Sequence, residues 1–233
     1  MKIAKFLFVL AIISMMLTLS VFAQNNIDFG LHFGANYSSP NLDDEITEGI
    51  VFHYAISPSI GIALAYELNN HLSINSGLEL DYLGWGYSTV TKDSKSTSHF
   101  RTIEIPIELR SHSNLTFYED WLLTFSGGVA LSFPTRGLCG GTSENSLTDV
   151  IIIEKEDYLG GINYLTSAGL GFEKVISKAL RINIGMNYHQ GMKKIVDGEI
   201  HYLSGDDINN TYTYKSLGSY LSLDLTCFII GTK

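Results

Sequence analysis

After its first twenty or so residues the chain has no apolar run long enough to cross a bilayer as a helix, a task that takes about 20 consecutive apolar residues. If this protein enters a membrane, strands must do the crossing. Positive charge is also scarce: 15 Lys and Arg stand against 24 Asp and Glu in 233 residues, a formal net charge of −9. Such a balance excludes nucleic acid as a partner, since its binders carry basic patches. Cysteine is limited to Cys139 and Cys227. A disulfide needs Cα atoms within about 7 Å. The strand reading below puts Cys139 in an outer loop and Cys227 near the other end of the last strand, across a band about 25 Å tall, so the pair is expected not to meet. Proline occurs four times, and Pro58 and Pro106 fall inside strand patterns, where a missing N–H removes a ladder bond and predicts a bulge or local irregularity.

The one long apolar run stands at the start. Lys2 and Lys5 form a positive n-region, Phe6 to Phe22 is nearly all apolar, and Val21-Phe22-Ala23 offers small residues where a signal peptidase reads. Residues 1–23 read as an export signal cleaved after Ala23, leaving 24–233 as one domain. Without Lys2 and Lys5 the formal charge moves from −9 to −11. No cysteine follows the cleavage site, which argues against a lipid-modified N-terminus.

Period-two alternation fills the remainder. In RTIEIPIELR, Arg101 to Arg110, Ile103, Ile105, Ile107 and Leu109 share one face while Glu104, Glu108 and Arg110 share the other. The same pattern recurs from Ile27, from Ile56, from Leu72, from Trp121, from Ile162, from Leu180 and from Leu217. Eight strands result, joined by long and short connections in turn, and that layout predicts an all-β, eight-stranded antiparallel up-and-down transmembrane barrel. Ser88–Ser98, Pro134–Asp157 and Gly191–Asn210 read as loops, and Leu165 stands out of its strand's pattern.

A soluble barrel of lipocalin type would invert the faces, with apolar side chains around a ligand and polar ones in water. Its exterior should then be rich in Lys, Glu and Arg, but several strands offer mostly Gly, Ser, Ala and Asn on that side. Such small residues suit a narrow bore. Phe29, Tyr66, Trp121 and Phe172 sit on the apolar face near the short turns, Tyr37, Phe133 and Tyr188 near the loops, as expected of aromatic girdles at the two membrane interfaces. Outer-membrane lipid is therefore the expected surrounding.

The segment TIEIPIEL, Thr102 to Leu109, resembles the PorT-like family of bacterial outer-membrane barrels, in which an apolar-Glu-Ile-Pro-apolar strand recurs near mid-chain. Gly-Leu-Gly-Phe-Glu at 169–173 and the strand spacing from Ile27 to Phe228 extend the likeness. It implies an eight-stranded barrel of a Gram-negative outer membrane, porin-like in form and mostly of unassigned function. Such barrels generally end on an aromatic residue, whereas Gly231-Thr232-Lys233 follows Phe228-Ile229-Ile230 here.

Parity and strand direction put Asp28, Glu67, Glu108, Arg110, Glu173, Arg181 and Asp224 inside the bore toward the short-turn end, with Glu79 and Glu104 also inward. Buried charges require partners. Glu173 is expected across the tight turn from Arg181, and Glu79 opposite Glu108. No Ser-His-Asp pattern suggests an enzyme, and no cofactor motif is present. The acidic loop residues Asp43, Asp44, Glu45, Glu48, Glu154, Glu156, Asp157, Asp206 and Asp207 lack the spacing of a calcium loop. The sequence points to a structural or interaction role, with a protein partner met through the outer loops. The alternative is a narrow channel or a transporter for small solutes or apolar molecules.

Overall fold

A computed structural model of the chain describes residues 27–38, 41–42, 50–89, 92–114, 121–135, 150–159, 161–204 and 207–230. The proposed signal segment, Cys139, the first acidic loop cluster and Gly231–Lys233 lie outside these. The strands in chain order are β1 (Ile27–Ser38), β2 (Asn41–Leu42), β3 (Ile50–Asn69), β4 (Leu72–Thr89), β5 (Lys92–Asn114) and β6 (Trp121–Thr135). They continue with β7 (Val150–Tyr158), β8 (Asn163–Ser177), β9 (Leu180–Gly191), β10 (Val196–Ser204), β11 (Asp207–Ser216) and β12 (Tyr220–Ile229). Eight of them close a barrel in the order β1-β12-β9-β8-β6-β5-β4-β3. Every neighbouring pair in the wall is antiparallel, and β1 meets both β12 and β3. Closure leaves the wall no open edge, which is what lipid demands of a spanning sheet.

Alternation assigns the two faces. Ile60, Ile62, Ile107, Val129, Leu170, Ile184 and Leu223 are exposed outward, whereas Asp28, His32, Asn75, Glu104, Asn183 and Asp224 are buried in the bore. A continuous apolar wall of this kind is unsuited to water and suited to a bilayer. The short turns at Asn70–His71 and Lys178–Ala179 define one end of the barrel, where His112 N donates to His71 O at 2.8 Å and Ile230 N to Ala179 O at 3.1 Å.

The prolines are absorbed differently. At Pro58 the β3–β4 register shifts between Tyr54 and Ser59, while the β1 side stays in register with Ala35 opposite Pro58. At Pro106 the β4–β5 pairing lapses beyond Ser76–Ile107 and resumes at Glu79–Glu104 without a shift. Ser76 Oγ donates to Pro106 O at 2.7 Å, so a side-chain hydroxyl satisfies the proline's carbonyl where the β4–β5 pairing lapses.

Three segments read as loops turn out otherwise. Ser88–Ser98 lies almost wholly within the long β4–β5 hairpin, Pro134–Asp157 contains nearly all of β7, and Gly191–Asn210 holds β10 and the start of β11. β7, β10 and β11 join β2 in a second sheet, ordered β2-β11-β10-β7. The Asn and Thr of β11 and the charged run Glu154–Asp157 of β7 resemble loop composition, and the strand form comes from pairing with one another rather than with the wall. The last barrel strand begins at Tyr220, because residues 217–219 break the chain at Gly218, whose φ of 70° is the left-handed conformation that glycine tolerates best.

Candidate functional site in the bore

At the short-turn end the bore is organised by Arg181. Its Nη2 lies 2.9 Å from Asp28 Oδ2, and its Nη1 lies 3.1 Å from Glu67 Oε1 and 3.4 Å from Glu173 Oε1. The guanidinium also stands 4.9 Å from the centroid of the Phe228 ring, a cation–π distance. β1, β3, β8 and β9 are tied together by one side chain. A planar guanidinium with five donors fits this task, where a lysine would not.

His112 joins the same cluster, with Nε2 3.1 Å from Ser73 Oγ and Nδ1 3.4 Å from Glu173 Oε1. No local pattern signals this pairing, because the three residues belong to different strands and His112 sits near a strand end. Ser, His and Glu in this order are the contacts by which hydrolases activate a serine. Ser73 is only 1 % exposed and also accepts from Asn75 Nδ2 at 3.2 Å. Neither Ser73 nor His112 lines the open space above.

That open space is a chamber of about 50 Å³ walled by polar side chains from most of the barrel strands. Glu79, Asp81, Glu104, Glu108 and Asp224 line it with Arg110, His32 and His189. The charged residues grouped from sequence at the turn end therefore divide: Asp28, Glu67, Glu173 and Arg181 form the lower cluster, while Glu108, Arg110 and Asp224 line the chamber. The expected pairing of Glu79 with Glu108 is also incorrect. Glu79 lies opposite Glu104, and Glu108 lies opposite Asn75. Register depends on the connecting turn, which parity alone does not fix.

Neutral donors hold most of these carboxylates. Glu104 accepts from Thr102 Oγ1 at 3.1 Å and Tyr220 OH at 2.8 Å, and Asp224 accepts from Asn187 Nδ2 and Ser222 Oγ, each at 2.6 Å. Glu108 accepts from Ser167 Oγ at 2.9 Å and stands 3.8 Å from Arg110. His32 bridges Ser59 Oγ at 3.2 Å and Asp224 Oδ1 at 3.5 Å, and the His189 ring stacks on Tyr220 with centroids 4.3 Å apart.

Above the chamber the bore turns apolar. Leu83, Trp85, Phe100, Ala130, Leu165, Ile195, Val196, Tyr214 and Tyr220 form one buried cluster. Its members come from β4, β5, β6, β8 and β12 around the ring, so the cluster lies across the mouth. Tyr214 of the outer sheet meets Trp85 edge to face at 5.6 Å. Gly198 lets β10 approach: a Cβ there would overlap the Tyr214 ring. The parity exception Leu165 thus has its place in this plug.

On the outer wall, Tyr66 and Phe172 near the turns and Tyr37 and Tyr188 near the loops are exposed, while Phe29 and Trp121 are half-buried. Lys174 Nζ stands 5.3 Å above the Trp121 ring, and Tyr37 stacks on Tyr54 at 4.4 Å. Among the described residues no three His, Cys, Asp or Glu side chains converge on a metal site. Cys227 is free.

A closed eight-stranded wall with an apolar exterior has counterparts among known proteins. Residues 22–197 match the family described as outer membrane protein beta-barrel domain. The chain belongs to that family. Its place is the bacterial outer membrane, and outer-membrane lipid is what its apolar wall touches. In fold it is similar to the outer membrane protein OprG from Pseudomonas aeruginosa, with a TM-score of 0.55 at 12 % identity over 88 % of this chain and 95 % of that one. Neisserial surface protein A matches with a TM-score of 0.45 at 10 % identity over 87 % and 96 % of the two chains. The N-terminal β-barrel domain of Pseudomonas aeruginosa OprF gives 0.40 at 11 % identity over 88 % and 98 %. Among curated proteins none matches the chain in sequence.

Proposed function

We propose that this barrel does its work through the outer sheet, as a structural or interaction element, with a bore that stays closed. The observation that carries this reading is occlusion at two levels: the apolar plug around Trp85 and Tyr214 above, and the Arg181 cluster below. Four strands outside the wall, β2, β7, β10 and β11, form a surface far larger than short connections require. A protein partner would meet that surface. Within the family we place the chain with the PorT-like barrels, on TIEIPIEL at Thr102–Leu109 and GLGFE at Gly169–Glu173. Residues 1–23 are read as the export signal. Catalysis forms no part of the proposal: Ser73, His112 and Glu173 are buried, and none of them lines the chamber.

A second reading, a narrow channel for small solutes, draws on the polar chamber and requires the plug to move aside. Photo-crosslinking in intact cells tests the interaction role. A crosslinker at the exposed Met192 or Glu199 is expected to capture a discrete protein, while one at lipid-facing Leu223 captures none. Equal silence at all three positions would overturn the interaction role.

A further inference from the structure

The chamber is lined by more carboxyl groups than cationic side chains. Glu79, Asp81, Glu104, Glu108 and Asp224 line it with a single guanidinium, that of Arg110. Donors such as Tyr220, Ser222 and Asn187 satisfy lone pairs without cancelling charge. One pair of residues is left short even of donors. Asn36 gives its Nδ2 to Asp81 Oδ1 at 2.8 Å, and the other oxygens of the two side chains, Asn36 Oδ1 and Asp81 Oδ2, are buried without a partner. The residues are 1 % and 2 % exposed, and both line the chamber. An amide oxygen and an ionised carboxylate oxygen only accept, so a donor or a cation must complete them. Leaving both unmet inside a bore is costly.

We propose that the chamber binds a small monovalent cation of the alkali class, seated on Asp81 Oδ2 and Asn36 Oδ1. Hard oxygen donors select hard cations. A calcium ion takes 6–8 oxygen ligands, often from several carboxylates, and no such convergence exists among the described residues. A chamber of about 50 Å³ holds one ion and two or three waters, at about 10–15 Å³ of such space each. Glu79, two residues from Asp81 on the same inward face of β4, places a further carboxyl group beside the seat. The cation is independent of the outer-sheet role, since a barrel that never conducts still either holds this ion or lacks it.

The test heats the folded full-length protein in detergent on one fixed ramp, at one ionic strength, in sodium, potassium or choline chloride. Choline is too bulky for the chamber. Loss of the compact gel band is expected about 5 °C later in sodium or potassium than in choline. The gap should vanish in Asp81→Asn and persist in Glu199→Gln on the outer sheet. Equal midpoints in the three salts overturn the proposal and leave protons as the balancing charge, and a gap that survives Asp81→Asn overturns it as well. Should Asp81→Asn fail to fold, the sodium NMR line of the wild-type sample decides: broadening that potassium relieves supports the site, and an unbroadened line overturns it.

Discussion

The hydroxyl of Tyr220 donates to Glu104 Oε2 at 2.8 Å across the bore. β12 and β5, which carry these residues, lie four positions apart in either direction around an eight-stranded ring. One hydrogen bond therefore spans the full diameter at the boundary between chamber and plug. Tyr220→Phe keeps the stacking on His189 and removes only the donor. It is expected to destabilise the folded barrel by about 2 kcal/mol, the cost of stripping a buried acceptor of its partner. Urea titration of the refolded protein reads this as a lower midpoint. An unchanged midpoint would show that the bond contributes nothing.

Arg181 serves three carboxylates, so its loss removes the guanidinium that all three share. Arg181→Met is expected to cost about 3–5 kcal/mol, the range for breaking a buried ionic cluster from one side. Arg181→Lys should recover part of it, because an ammonium supplies charge without the planar fork. The folded fraction on an unheated gel measures both, and wild-type behaviour of the Met variant would refute the clamp.

The outer sheet is expected to depend on the plug. Trp85→Ala opens a cavity beneath Tyr214, and truncating a buried tryptophan typically costs about 3–5 kcal/mol. The loss should appear locally, as faster trypsin cleavage at Lys193 and Lys194 with the barrel wall intact. Cleavage at the wild-type rate would mean that the outer sheet holds without Trp85.

Ser73 should be chemically silent. Although His112 and Glu173 complete a triad-like contact, a fluorophosphonate probe has no space to reach Ser73 and should leave it unlabelled. Stoichiometric labelling at Ser73, detected by mass spectrometry, would revive an enzymatic role.

The wall was legible because period-two alternation is a local property: Ile103, Ile107 and Leu109 against Glu104 and Glu108 need no knowledge of neighbouring strands. The barrel's interior was only half legible. Parity turned Glu79, Glu104 and Glu108 inward, but their partners depend on register, which set Glu79 opposite Glu104. His112 gave no signal, since its partners Ser73 and Glu173 are 39 and 61 residues away in sequence. The plug was missed for a different reason. Leu83, Trp85 and Leu165 are apolar side chains on the polar face, and such exceptions look like noise until Ile195, Val196 and Tyr214 close over them. The outer strands were hidden by the charged end of β7 and the Asn and Thr of β11, their form being set by mutual pairing.

The closed bore is tested most directly by a planar-bilayer recording of the wild-type protein. Reconstituted barrels, shown folded by their gel mobility, are expected to leave the baseline current flat at moderate voltages, because the plug and the Arg181 cluster both block the path. A steady open-channel current from the same preparation would contradict the closed bore and favour the channel.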